Sequence, residues 1–220
     1  MAISIGNRTA SNSNPNGSFQ AIVHSQDVGA DGFLLVSIVM ANTTTVATVS
    51  YGTVLMTQLG SSNFNGLSQN VIMFGLVNPP TGTNTVFINF NGNQFNSTSV
   101  FISSFLGSSG ASNYASNGVA TSPHSQSLTI SANSIIYATG ISNNAQSFGY
   151  DIGGTTVVNQ FFANTNKIVE GALGPLNLPA GVTDVTTKAD FGNITNTRIE
   201  ILETSVTPPV TNTGNFFLMF

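Results

Sequence analysis

Apolar residues in this chain come in short bursts of Val, Ile, Leu and Phe, and clusters of Gly, Asn, Ser and Pro separate one burst from the next. Within several bursts the pattern alternates. Val86, Ile88 and Phe90 alternate with Phe87, Asn89 and Asn91, and Ile199, Ile201 and Glu203 alternate with Glu200 and Leu202. A period of two is that of a strand with one face turned to a core, and no run carries the longer period of an amphipathic helix. The pattern predicts strands over Phe19–Ser25, Gly32–Ala41, Thr45–Tyr51, Val54–Leu59, Asn70–Val77, Thr83–Asn89, Ser97–Leu106, Ser125–Ile130, Ser134–Ile141, Thr155–Phe161, Thr186–Phe191 and Thr197–Thr204. Phe33 to Met40 is apolar at nearly every position, which predicts a central strand covered on both faces.

Asp31-Gly32, Tyr51-Gly52, Asn78-Pro79-Pro80-Thr81-Gly82 and Gly153-Gly154 punctuate the bursts, and turns of this chemistry join antiparallel neighbours. Ser11–Gly17 and the longer Ser108–Pro123 read as loops, the second long enough to be expected to carry a contact or a function. No period of roughly 20 to 50 residues predicts a solenoid or propeller. The expected fold class is all-β, an antiparallel two-sheet sandwich, with one domain over residues 1–206. Residues 207–220 are set apart as a Pro-Pro linker and an apolar C-terminal segment, Phe216, Phe217, Leu218, Met219 and Phe220. That segment is either the last strand of its own sheet or an arm added to the edge of a neighbour's sheet, and in the second case it is an interface. Its third reading, the closing strand of an outer-membrane barrel, requires export and aromatic girdles that the sequence does not support.

Composition adds a partner to this picture. Hydrophobic residues make up 40% of the 220 and Phe accounts for 16, enough to close a large core, yet only 5% are charged against roughly 25% in an ordinary soluble domain. A surface so poor in charge repels its own copies weakly, so a homo-oligomer is expected. Arg8, Lys167, Lys188 and Arg198 are the basic residues, and with a net charge of -4 they supply no stripe for a phosphate backbone; nucleic acid is excluded as a partner. The absence of Cys removes disulfides and thiolate chemistry. No apolar run approaches the ~20 residues of a membrane-spanning helix, and the first residues lack the charged-then-apolar order of a secretory signal.

Candidate chemistry is sparse. His24 with Asp27 and Asp31 is the best polar constellation, and it reads as a strand end beside turn carboxylates rather than as a metal or catalytic site. Asp27 to Gly32 lacks the further ligands of a Ca²⁺ loop, and no G-x-S-x-G elbow accompanies the serines. Asp151, Glu170, Asp184, Asp190, Glu200 and Glu203 are expected at solvated or rim positions, and Glu200 and Glu203 point to opposite faces of their strand. Of the tyrosines, Tyr51 and Tyr137 are expected in the core. Tyr114, in the long loop, is the candidate glycan contact. The sequons at Asn7, Asn16, Asn42, Asn96 and Asn193 are read as chance products of an Asn- and Thr-rich chain.

Val49-Ser50-Tyr51-Gly52-Thr53-Val54-Leu55 and Asn78-Pro79-Pro80-Thr81-Gly82-Thr83-Asn84-Thr85-Val86 resemble the V-x-Y-G and N-P-P-x-G-x-x-x-V elements of a family of uncharacterised bacterial and phage proteins. The usual Trp before the Pro-Pro turn is replaced here by the Met73-Phe74 region. The resemblance implies a jelly-roll-like sandwich and a virion-associated structural or adhesive module. The resulting expectation is a phage virion protein without enzymatic activity, cofactor or metal: a capsid decoration or head-surface protein, or a tail or fibre component. It is made in the host cytoplasm and works through packing against its own copies and other virion proteins. The alternative is a carbohydrate-binding or adhesive module at an extracellular surface, with a host-surface glycan as ligand.

Overall fold

Alternation and turn chemistry translate into strands in the computed structural model, which describes residues 2–13, 17–27, 31–40, 45–64, 69–94, 98–119, 124–143, 148–156, 158–164, 167–189 and 194–204. In chain order the strands are β1 (Ser4–Ser13), β2 (Gly17–Gln26), β3 (Gly32–Met40), β4 (Val46–Tyr51), β5 (Val54–Leu55), β6 (Thr57–Phe64), β7 (Gln69–Val77), β8 (Gly82–Gln94), β9 (Thr98–Leu106), β10 (Ser108–Val119), β11 (His124–Ile130), β12 (Ile135–Asn143), β13 (Phe148–Ile152), β14 (Thr155–Thr156), β15 (Val158–Asn164), β16 (Lys167–Leu173), β17 (Gly181–Ala189) and β18 (Ile194–Glu203). Every pairing among them is antiparallel.

The span read as one two-sheet sandwich holds four sheets. Sheet I has the order β2-β8-β4-β5, sheet II β1-β9-β3-β7-β6, sheet III β10-β18-β12-β16-β15 and sheet IV β11-β17-β13-β14. Three apolar layers lie between them. Ile22, Leu34, Val36, Ile38, Met40, Tyr51, Val86 and Ile88 fill the space between sheets I and II. Leu128, Ile130, Ile136, Tyr150, Ile152 and Val185 fill that between III and IV. Phe33, Leu35, Val39, Met73, Phe101 and Phe105 of sheet II meet Ile135, Tyr137, Ile141, Leu173, Ile199 and Ile201 of sheet III, so two sandwiches are joined back to back. This explains the continuous apolar run of β3, whose even positions serve one layer and odd positions another; all nine of its residues are buried.

The second half repeats the first strand for strand. Adding nine to each strand number of sheet II gives sheet III in the same order, and the same operation turns sheet I into sheet IV. Left-handed backbone recurs at matching turns: Asp31 and Asn133 (φ 62 and 61), Gly52 and Gly153 (φ 58 and 59), Asn78 and Asn177 (φ 51 and 58). Gly82 and Gly181, both at positive φ, open β8 and β17 after Pro80 and Pro179. The halves meet at Gly107 (φ 72), whose N–H donates to the Asp31 carbonyl at 2.7 Å and whose carbonyl accepts from Thr204 N–H at 2.8 Å.

The Tyr-Gly and Pro-Pro-x-Gly elements turn out to be two sides of one joint. Tyr51 pairs with Val86, its buried hydroxyl donates to the Gly82 carbonyl at 2.8 Å, and Gly52 N–H donates to the Thr85 carbonyl at 2.8 Å. In the second sandwich Ile152 pairs with Val185, and Gly153 N–H donates to the Asp184 carbonyl at 2.9 Å. The expected loop Ser108–Pro123 is corrected over its first twelve residues, which form β10 (Ser108–Val119) on the edge of sheet III. Its Ser, Asn, Ala and Gly carry no apolar alternation, but main-chain bonding to β18 needs none, and register shifts at Ser108/Gly110 and Ser112/Ala115 absorb the irregularity. β1, β13 and β16 fall where no strand was expected, and β1 reaches Ser13, into the expected loop Ser11–Gly17.

Candidate binding face

The chain does bring reactive side chains together, but inside the sandwiches. His24 accepts or donates at both ring nitrogens, Nδ1 lying 2.8 Å from Thr9 Oγ1 and Nε2 3.1 Å from Ser104 Oγ, while Ser104 donates to Gln26 Oε1. A serine beside an imidazole is the arrangement of an activated nucleophile. Here Ser104 and His24 are 0% and 1% exposed, so nothing dissolved in water reaches either. Burial holds the imidazole below the ordinary histidine range, against the opposing pull of Gln26 and Asp27. Asp27 does not join this cluster as a ligand; its Oδ1 accepts from Asn7 N–H at 3.3 Å. Among the described residues no three His, Cys, Asp or Glu side chains gather as a metal site, and no helix is long and apolar enough to cross a membrane.

Glu200 was expected at a solvated rim and is instead fully buried. It occupies in β18 the place Ser104 holds in β9, since Ser104 pairs with Leu34 and Glu200 with Ile136 at the same step from the turn. Its Oε1 accepts from Ser131 N–H and Ser134 hydroxyl, both at 2.6 Å, and its Oε2 from Ser112 hydroxyl at 2.8 Å and Asn113 Nδ2 at 2.6 Å. Burial raises its pKa, but the four donors outweigh burial and hold it below the usual carboxylate range. The carboxylate fastens the turn between β11 and β12. Glu203 accepts from Asn133 Nδ2 at 2.8 Å, so the two glutamates face different partners. Asp151 and Asp184 lie on the outer face of sheet IV, whereas Asp190 falls outside the described residues and nothing is described of the Glu170 side chain.

Tyr114 sits in β10 rather than in a loop. A Cβ on Gly60 would come within 2.4 Å of its ring, so the ring lies flat on that glycine, and its hydroxyl is 2.7 Å from Ser62 Oγ. Burial pushes its pKa up to about 12, against hydrogen bonds from Ser62 and Thr197. One ring face is thereby occupied by the protein itself. Nearby, an apolar groove of about 420 Å³ runs between the sandwiches, lined by Phe33, Leu59, Leu76, Val77, Ala111 and Leu202 among others. Phe216, Phe217, Leu218, Met219 and Phe220 lie outside the described residues.

The feature missed by sequence reasoning is on the outside of sheet I. β2 alternates Phe19, Ala21, Val23 with Gln20, Ile22, His24, Gln26, and the apolar set should be the buried one. The structure inverts it. Gln20, His24 and Gln26 point inward, and Phe19 and Val23 stand 62% and 64% exposed. Phe87 of β8 and Leu55 of β5 join them at 42% and 67%. Across the strands Val23 pairs with Thr85, Ala21 with Phe87, Phe87 with Ser50 and Ser50 with Leu55, giving one uncharged face.

Sheet IV offers the same backbone with other side chains. The equivalent pairs are Ser127 with Asp184, Ser125 with Thr186, Thr186 with Asp151, and Asp151 with Thr156. Ser127 donates to Asp184 Oδ1 at 2.7 Å and Thr186 to Ser125 Oγ at 3.0 Å, so hydroxyls and carboxylates stand where sheet I has Val23, Ala21, Phe87 and Ser50. Val182, 70% exposed, is the large apolar exception on that face among the described residues. The molecule therefore has one apolar end and one polar end. No protein-family model matches the chain, and no curated protein matches it either.

Proposed function

We propose that this protein is a non-enzymatic structural component of a phage particle, a capsid decoration or head-surface protein or a tail or fibre component, that works by packing of subunit surfaces. The observation that carries the reading is the apolar outer face of sheet I, set against the hydroxyl- and acid-rich face of its duplicate. A fold that builds the same sheet from Ser125, Ser127 and Thr186 does not itself require Val23 and Phe87 outside, so a partner surface does. The sealed His24–Ser104 pair fits a protein whose polar side chains hold sheets together. Each nine-strand unit, alternating between two sheets, is read as a jelly roll. The segment Phe216–Phe220 serves in this reading as a second contact, added to a neighbour's sheet edge.

The test is fractionation of a lysate of the producing cells on a density gradient, with an antibody raised against the recombinant chain. The protein is expected to band with particles. Recovery solely in slowly sedimenting fractions would overturn the reading.

A second reading, a carbohydrate-binding or adhesive module, is favoured by one observation: exposed Phe19 and Phe87 rings on a flat face that also carries Asn89, Thr48 and Ser50. It predicts glycan binding that is lost on Phe87→Thr. A glycan array without binders would remove it.

A further inference from the structure

We infer that the outer face of sheet I is a self-association surface, on which a second copy of this chain stacks sheet to sheet about a two-fold axis. This deepens the packing reading above and rests on it.

The face is kept apolar at a cost. Sliding β2 by one residue would bury Phe19, Ala21 and Val23 and expose Gln20, His24 and Gln26, because a one-residue slip turns every side chain to the other face. The register instead holds the polar set inside, where His24 bonds Thr9 and Ser104 and Gln26 Oε1 accepts from Ser104, while Gln20 Oε1 and Gln26 Nε2 are buried without a partner, and it pins Gln26 against Gly82 at the start of β8. The second sandwich has Leu128 and Ile130 at the positions of His24 and Gln26 and Ser125 and Ser127 at those of Ala21 and Val23, the conventional arrangement. The first sandwich is the inverted one, and the inversion leads outward.

The occupant follows from charge and from how this fold already packs. None of Phe19, Ala21, Val23, Thr48, Ser50, Leu55, Thr85, Phe87 and Asn89 is charged, so the face neither repels a copy of itself nor selects a charged partner. Sheets II and III show that equivalent faces of the unit stack on one another: Phe33 and Ile135, Leu35 and Tyr137, and Val39 and Ile141 are matching positions within one apolar layer. Stacking head to tail, sheet I on the sheet IV of another copy, would strip water from the exposed Asp184 against a sheet I face that offers it no cation among its described residues. Head-to-head pairing avoids this and closes after two copies. Strands ~4.8 Å apart and rising ~3.3 Å per residue make the face about 19 by 25 Å, so a pair buries roughly 1,000 Å², the lower end for specific interfaces. An interface at this end of the size range is typical of a transient pair.

Sedimentation velocity on the full chain, from about 1 µM to about 1 mM, tests this. Wild type is expected to pass reversibly from monomer to dimer and no further, the neighbour reached by the segment Phe216–Phe220 being the copy already paired on sheet I. Val23→Ser combined with Leu55→Thr and Phe87→Thr installs the residues sheet IV carries at those places, so the fold tolerates them. It is expected to weaken pairing at least 30-fold with unchanged circular dichroism, while Thr186→Ala on the opposite end leaves pairing intact. A wild type monomeric throughout, oligomers growing beyond two, or a triple variant that pairs normally would each overturn the inference. Particle association is read separately: monomers that still band with particles sink self-pairing alone, and dimers never found on particles sink the virion reading alone.

Discussion

Removing the Glu200 carboxylate is expected to be among the most damaging single changes in the second sandwich. Glu200→Ala leaves the Ser131 N–H and the buried Ser134 hydroxyl without an acceptor, while Ser112 and Asn113, nearer the surface, can turn to water and Asn113 keeps its bond to the Thr129 carbonyl. Two orphaned buried donors at about 1–3 kcal/mol each, with the emptied volume added, put the loss near 4 kcal/mol. For a chain of this length that is roughly 8–16 °C in Tm. Glu200→Gln keeps the shape but turns an NH₂ toward two donors, and falls in between at about 2 kcal/mol. Urea unfolding at pH 7 and at pH 3 reads both the size and the sign. Because the folded pKa is depressed, the stabilisation is complete above the unfolded value of about 4.3 and is lost as pH falls through the folded value. The gap between wild type and Glu200→Gln should therefore narrow in acid. A Glu200→Ala variant within 1 kcal/mol of wild type at pH 7, or a gap unchanged at pH 3, would refute the clamp.

Three further outcomes follow from the same contacts. His24 is held below the ordinary value of about 6.5, so the unfolded chain takes up the proton first and stability declines as pH drops through and below that value; His24→Leu, the residue present at the matching Leu128, should flatten the decline, and parallel curves for the two proteins would dispose of the argument. Gly140→Ala places a Cβ 2.3 Å from the Thr195 carbonyl and 2.6 Å from the Tyr150 hydroxyl and should cost about 3 kcal/mol, whereas Gly149→Ala, with nothing within 4 Å among the described residues, should stay within about 0.5 kcal/mol by thermal melt. Deleting Asn215–Phe220 should lower assembly, and unchanged light scattering would count against the C-terminal contact.

Strand content was legible because alternation and turn residues are local signals, and β3 declared its double burial through an unbroken apolar run. The doubling of the fold was not legible. Several matching turns share conformation more than residue type: Asp31 answers to Asn133, and Tyr51-Gly52 to Ile152-Gly153, while Asn-x-Pro-x-Gly-x-x-x-Val, at Asn78–Val86 and Asn177–Val185, recurs in letters. β10 escaped because an edge strand can live on main-chain bonds with Ser, Asn and Gly side chains. Glu200 looked like a rim residue because the donors that hold it come from β10 and from the β11–β12 turn, distant in the chain. The inverted β2 could have been suspected from Gln20, His24 and Gln26 falling in phase with Ile22, but alternation alone does not say which parity faces the core.

The fusion at Gly107 has an effect beyond folding. Were the nine-strand unit encoded once and paired through the sheet that β3 centres, both outer surfaces of the pair would be identical, and any adhesive mutation would appear on each end at once and propagate into fibres. Joining two copies in one gene frees each to drift alone. One end can become sticky while the other stays wet, and growth then halts by design of the chain rather than by a separate capping subunit.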